Sequence, residues 1–261
     1  MAKKTNKVVV KRNDLITASY RLTLVEQRLL LACISQIDSR ETLSPEDTFE
    51  VTAGEILDLL SVDAGKRSVW RDLKDGTERL FERYIVFRES ETEHGKCRWV
   101  SSVRYFENDG RVAVQFAPDV LKYLSELRSE FTQYKLQYVS KFRSSYSIRV
   151  YELLVQWLSE GEREISVSDL REMLMLEDKY RLAAELKRNV LDPACRDINE
   201  FSNITVRYTQ RKHGRSIAAF QFKFGLKKKR KALSKSEFDG SDARPGESWE
   251  QYLQRKRREQ S

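Results

Sequence analysis

The chain has 261 residues and a mass of 30.7 kDa, is 40% hydrophobic, and carries a net charge of +8 with a pI near 9.3. Its mean hydropathy is −0.62, no apolar run approaches the roughly 18 residues of a membrane span, and Met1-Ala2-Lys3-Lys4 leads into no long apolar stretch, so neither a membrane segment nor a secretory signal is expected. Three scattered cysteines (Cys33, Cys97, Cys195) point to a reducing cytoplasm rather than a disulfide framework, and two isolated histidines, His94 and His213, exclude a clustered histidine metal site.

Residues 1–12 form a basic arm with five positive charges and no acid. Asn13 or Asp14 is placed to cap a following helix. A strong helix is predicted over Thr23–Ile37, where Leu22, Val25, Leu29, Leu30, Ile34 and Ile37 recur at three- and four-residue steps. A polar loop with Pro45 follows, then a short strand, Phe49–Val51. Thr52 with Glu55 forms a capping-box pattern for a short helix. A second helix is predicted from about Lys66 to Tyr84. Strands are expected at Ile85–Arg88, Trp99–Phe106 and Arg111–Phe116, and a short helix at Val120–Leu127.

The order then repeats. A helix is predicted over Tyr146–Leu158, a strand over Glu164–Val167, and a helix capped by Ser168 that runs to Leu176. A longer helical region spans about Lys179–Phe201, with a kink or two stacked segments expected at Pro193 because proline removes a helical hydrogen bond. Two strands, Ile204–Thr209 and Ser216–Phe224, flank a basic turn. Ile85-x-Phe87-Arg88 aligns with Ile204-x-Val206-Arg207, and His94-Gly95 with His213-Gly214, both at an offset of 119. Two copies of helix, strand, helix, helix and hairpin describe an α+β chain of tandem winged helices related by internal duplication. The expected domains are 13–140 and 141–225, followed by a basic tail, 226–261, whose composition does not support a core.

This order points to nucleic acid. Residues 225–261 hold eleven Lys/Arg against six Asp/Glu, and the first 224 are nearly balanced at 37 against 34, so local clustering has to carry the argument. In the second copy Lys179, Arg181, Lys187 and Arg188 share a helical face whose only acid is Glu185. The hairpin adds Arg207, Arg211, Lys212 and Arg215 without an acid. Such a surface neutralises phosphates, and Arg181 and Arg188 are candidates for base contacts. In the first copy Lys66, Arg67, Arg71 and Lys74 are interleaved with Asp72, Asp75 and Glu78, and the expected hairpin carries Glu89, Glu91 and Glu93. The second copy is therefore expected to dominate DNA affinity.

Enzyme chemistry finds little support. Gly65-Lys66-Arg67-Ser68 lacks the first glycine of a phosphate loop, since Leu60 stands in its place, and no G-x-S-x-G or G-x-G-x-x-G occurs. A nickase needs a tyrosine beside a metal held by paired histidines, and neither histidine has such a neighbour. Tyr134, Tyr138, Tyr146 and Tyr151 read as core or domain-interface residues, and the cysteines as small core residues. The expectation is a protein without catalytic activity, metal or nucleotide cofactor.

Four segments resemble the iteron-binding plasmid replication initiators. They are Lys11-Arg12-Asn13-Asp14-Leu15-Ile16 with Leu22-Thr23-x-x-Glu26-Gln27-Arg28; Phe131-Thr132-Gln133-Tyr134-x-Leu136 with Ser144–Leu154; Val190-Leu191-Asp192-Pro193-Ala194-x-x-Asp197-Ile198-Asn199-Glu200; and the hairpin ending in Gly214-Arg215 and Phe220-x-Phe222-x-Phe224. The resemblance covers about residues 11–224. It implies binding of direct repeats in double-stranded DNA at a plasmid origin as a monomer, and repression of its own promoter as a homodimer. It also implies recruitment of a host initiator and replicative helicase, contact with chaperones, and a place in the bacterial cytoplasm with the nucleoid or plasmid. The family's dimer surface lies in the first winged helix, and Arg111, Val112, Val114 and Phe116 are the candidate edge strand. The family's basic triplet corresponds here to Lys187-Arg188-Asn189, so base preference does not carry over. A repressor of the same fold without an initiation role is the alternative.

Overall fold

Side-chain caps in the sequence set where several of the helices start. The computed structural model describes residues 7–60, 66–88, 93–227, 251, 252 and 255. The first part runs β1 (Val8–Arg12), α1 (Asn13–Thr17), α2 (Leu24–Ile34), β2 (Phe49–Thr52), α3 (Ala53–Leu60) and α4 (Lys66–Glu82). An antiparallel pair follows, β3 (Tyr84–Arg88) with β4 (His94–Arg98), then β5 (Val100–Phe106), β6 (Arg111–Phe116), α5 (Pro118–Leu121) and β7 (Phe131–Lys135). The last part is α6 (Ser145–Val155), β8 (Glu162–Ser166), α7 (Val167–Leu174), α8 (Ala183–Leu186), a π turn at Lys187–Leu191, α9 (Asp192–Phe201), β9 (Ile204–His213) and β10 (Ser216–Leu226).

Reciprocal caps begin α2 and α3 of the first copy. The Thr23 hydroxyl accepts from the Glu26 amide while the Glu26 carboxylate accepts from the Thr23 amide. Thr52 and Glu55 do the same for α3. In the second copy the cap is Ser166, whose hydroxyl accepts from the Asp169 amide, rather than Ser168. Ser166 is the last residue with extended backbone, and Ser168 already lies in the first helical turn. The helix expected over Val120–Leu127 is only the short α5, and the one expected from Lys179 begins at Ala183.

Two three-stranded sheets share one strand order. β6 lies between β2 and β5, and β10 lies between β8 and β9. In each copy a helix precedes the first strand and two helical segments separate it from the other two strands. That is the winged helix, built once from α2 to β6 and again from α6 to β10. The helices cross closely: a Cβ added at Gly76 of α4 would stand 2.7 Å from Val25 Cγ1 of α2.

This equivalence corrects the alignment read from the sequence. β9 answers to β5, so the first copy's wing is the β5–β6 hairpin and not β3–β4. The 119-residue offset matched two hairpins of similar composition. β3–β4 is an extra pair inserted between α4 and the sheet, joined at Val86 to Ser19 by an isolated bridge. A second correction concerns β6. It bonds to β2 on one side and β5 on the other, and Val112, Val114 and Phe116 are at most 1% exposed. Arg111 is bound to Glu50 and Asp109. The expectation that Arg111, Val112, Val114 and Phe116 form a dimerising edge is overturned, because a strand paired on both sides has no backbone groups left for another chain. The open edges of this sheet are β2 and β5.

The N-terminal segment is not a free arm from Val8 onward. β1 pairs with β7, and Lys11 is fully buried with its Nζ 2.7 Å from Glu152 Oε1 of α6. Tyr134 donates to the same carboxylate oxygen at 2.5 Å, and the Arg149 guanidinium lies over the Tyr20 ring at 3.7 Å. Arg28 donates to the carbonyls of Ser140 and Phe142, and its burial lowers its pKa to about 10. Asp197 of α9 accepts from the Ser147 hydroxyl and the Arg143 amide. Residues on either side of position 140 thus share one interior. Met1–Leu226 forms one compact unit and Lys227–Ser261 a second. Of the second unit only Lys227, Gln251, Tyr252 and Arg255 are described, with Arg255 over the Tyr252 ring at 5.4 Å. The rest of the expected unstructured tail lies outside the described residues.

Candidate nucleic-acid interface

The second copy's helical segment starts from a fastened loop. Arg171 of α7 donates from one Nη2 to the carbonyls of Tyr180 and Arg181, both at 2.6 Å. Tyr180 is held at a φ of +52°, in the left-handed region. The Leu182 amide donates to the Glu185 carboxylate at 3.2 Å, so the one acid on this face is turned back onto the backbone. Lys179 and Arg181 lie in this loop, ahead of the helix on which the sequence placed them, and both are exposed.

From Ala183 to Phe201 the backbone is helical throughout, with the π turn taking up the proline. Pro193 has no N–H, and its ring excludes the carbonyl of the preceding turn. The Asp192 amide reaches the Lys187 carbonyl, five residues back, and the Asn189 side chain donates to the Glu185 carbonyl. Where a kink or two stacked segments are expected at Pro193, the structure has a π turn in a continuous helical run. Arg188 is exposed on the π turn and Lys187 half-buried, and Arg196, which the sequence reading passed over, is exposed on α9. The Tyr208 hydroxyl donates to Asp192 at 2.5 Å and fastens the wing to the helix.

The wing is less free of acid than its own sequence. Glu164 on β8 accepts twice from Arg211 at 2.9 Å, and Glu162 lies 3.8 Å from Lys223. Among the described residues, Lys179, Arg181, Lys187, Arg188, Arg207, Lys212 and Arg215 make no ion pair. Their charges stand open on the loop, the helix and the wing of one module.

The first copy treats its cations differently. Lys74 of α4 bonds Glu107 at the wing tip at 2.5 Å, and the Trp70 indole donates to the same carboxylate at 3.3 Å. The Lys74 pKa is raised, by the Glu107 hydrogen bond first. Arg79 and Arg83 both bind the buried Glu26. Arg71 is exposed, with Asp72 at 3.8 Å. The side chains of Lys66 and Arg67 lie outside the described residues, as do Glu89 and Glu91. Glu93 is exposed, but on the inserted pair rather than the wing. The true wing tip, Glu107-Asn108-Asp109-Gly110, is also acidic, and Gly110 takes the φ of +57° that its turn requires.

Among the described residues no helix is long and apolar enough to cross a membrane, and no group of three or more His, Cys, Asp or Glu side chains is arranged to hold a metal ion.

Comparison with known proteins bears on the whole arrangement. Residues 8–155 match the family described as initiator replication protein, WH1, and residues 166–224 the one described as initiator Rep protein, WH2. A replication initiation protein of Escherichia coli is 26% identical over 222 residues, covering 82% of this chain and 69% of that protein. An uncharacterized 27.6 kDa protein of Escherichia coli is 28% identical over 216 residues, covering 78% of this chain and 90% of that one. The solved structure of the Pi initiator protein in complex with iteron DNA superposes with a TM-score of 0.73 at 24% identity, over 86% of this chain and 99% of that chain.

Proposed function

This chain belongs to the initiator replication protein family, and from that premise we propose that it starts plasmid replication by binding direct repeats of double-stranded DNA at the origin as a monomer. The observation that carries the reading is the open basic surface of the second winged helix. Lys179, Arg181, Lys187, Arg188, Arg207, Lys212 and Arg215 stand without internal counter-charge among the described residues, where phosphates take that role. Arg181 and Arg188 precede or lie on the segment that enters the major groove, and the wing residues follow the backbone beside it. Arg211, held by Glu164, contributes less. Arg71, Lys74, Lys66 and Arg67 of the first copy make the secondary contacts. The Pi initiator, of the same fold, was solved with iteron DNA, which supports repeats as the target.

The first copy, with two open sheet edges and a wing tip neutralised from within, is the half that forms a homodimer. As a dimer the protein represses its own gene, and as a monomer on the origin it recruits the host initiator and replicative helicase, chaperones assisting the exchange between the two states. It works in the cytoplasm, with no catalytic step of its own. The test is a footprint of the purified full chain on DNA flanking its own gene. Evenly spaced protected segments of about two helical turns are expected. A single isolated footprint, with unimpaired plasmid replication when the gene is deleted, favours a repressor instead.

A further inference from the structure

Leu182 is 66% exposed, more than any other large apolar side chain among the described residues. Burial normally rewards a leucine, so its position calls for a cause. It is not loose. The Arg171 guanidinium holds the two carbonyls before it, and the Glu185 carboxylate holds its own amide. Tyr180 accepts a left-handed backbone so that the loop turns this way. In the chain Leu182 follows Lys179 and Arg181, exposed and without an ion pair among the described residues, and is followed at 184 by an exposed alanine. It is an exposed apolar side chain in a segment whose exposed cations are otherwise suited to phosphate.

The loop and first residues of a recognition helix are the part that meets base edges in the major groove. The apolar feature exposed there is the C5-methyl of thymine. We propose that Leu182 is a specificity-determining residue that packs on a thymine methyl in the DNA site. The inference rests on the DNA-binding reading above and adds a base identity to it.

The full-length protein is used to select duplexes from a randomised library, and the enriched site is then rebuilt with each thymine replaced singly by uracil, which removes only the methyl. Wild type is expected to lose about fourfold in affinity at one thymine, the worth of one buried methyl group. Leu182→Ala is expected to bind the thymine and uracil duplexes equally, and Leu182→Met to retain the difference. Equal binding of all uracil duplexes by wild type overturns the proposal, as does undiminished discrimination by Leu182→Ala. Failure to enrich any site overturns the DNA-binding reading itself, whereas an enriched site without a uracil effect overturns only the role of Leu182.

Discussion

The two winged helices share a frame and differ in where their cations are directed. In the first, Lys74 is bound to its own wing tip through Glu107, and Arg79 and Arg83 are bound inward to Glu26. In the second, it is the acids that are diverted: Glu185 caps the Leu182 amide, and Glu164 holds Arg211 alone. Both segments have basic residues in sequence. Among the described residues, the second keeps most of them without an ion pair, and the first pairs Lys74, Arg79 and Arg83. A count of charges along a helix therefore says less about binding than the direction each carboxylate takes.

The largest expected effect asks whether the copies are separable at all. Glu152 receives Lys11, Tyr134 and Arg149 in an interior common to both. Glu152→Gln leaves two buried cations short of a counter-charge and should lower the free energy of unfolding by about 3–5 kcal/mol, in one transition by chemical denaturation. Two transitions would make the copies independent and weaken the comparison. Acid should act on the same joint. Burial alone would raise the Glu152 carboxyl, but the nearby Lys11 and Arg149 charges and its hydrogen bonds outweigh that and hold it below its ordinary 4.5. Glu26 is likewise held low, its burial outweighed by Arg83, the Thr23 amide and Arg79. Depressed carboxylates stabilise the fold fully above their unfolded values and lose that contribution as pH falls through the folded ones. Stability should thus drop from about pH 4.5 downward, and less steeply in Glu152→Gln.

Next in size, Arg188→Glu should weaken DNA binding about a hundredfold, while Arg71→Glu weakens it by less than about threefold, both measured by fluorescence anisotropy at fixed salt. The reverse order would break the comparison outright. Gly76→Ala pushes a methyl into Val25 where α2 and α4 of the first copy cross. It should reduce stability by about 1–3 kcal/mol and leave the DNA affinity of the folded fraction unchanged. The smallest effect sharpens the contrast: Glu164→Gln frees Arg211 and should tighten binding a few-fold while steepening the salt dependence by about one. Glu107→Gln, which frees Lys74, should move affinity in the same direction but less.

Local pattern carried the fold a long way. The periodicity of α2, the capping box at Thr52 and Glu55, and the repeated helix–strand–helix order all reappear in the structure. What local pattern could not carry was pairing across distance. Val8–Arg12 is too short to read as a strand until Phe131–Lys135 lies beside it. Two hairpins of similar composition competed for the role of first wing, and only the sheet order separates them. Glu164 belongs to β8, so its hold on Arg211 depends on sheet register rather than on sequence neighbours. The turned-back Glu185, by contrast, sits three residues after Leu182, a spacing that is legible in the sequence. The segments that carried the family resemblance mostly prove to be joints: Thr23 and Glu26 cap and anchor α2, Arg28 holds the chain at 140–142, and Glu152 and Asp197 tie α6 to its surroundings. They identify the architecture better than they identify the DNA contacts.

The π turn at Lys187–Leu191 has a consequence for helix phase. Each helical residue advances the spiral by about 100°, and this turn contains one residue more than an α-helical turn would. Everything ahead of it, the loop with Arg181 and Leu182 included, is set at a different azimuth from α9 than an uninterrupted spiral would give. Excising one residue from the turn would leave the chemistry of the remaining side chains as it was. It would still swing the leading end of the segment a quarter-revolution or so about its axis relative to the wing. The azimuth of the loop relative to α9 is thus set by a single surplus residue, in the turn that directly precedes Pro193.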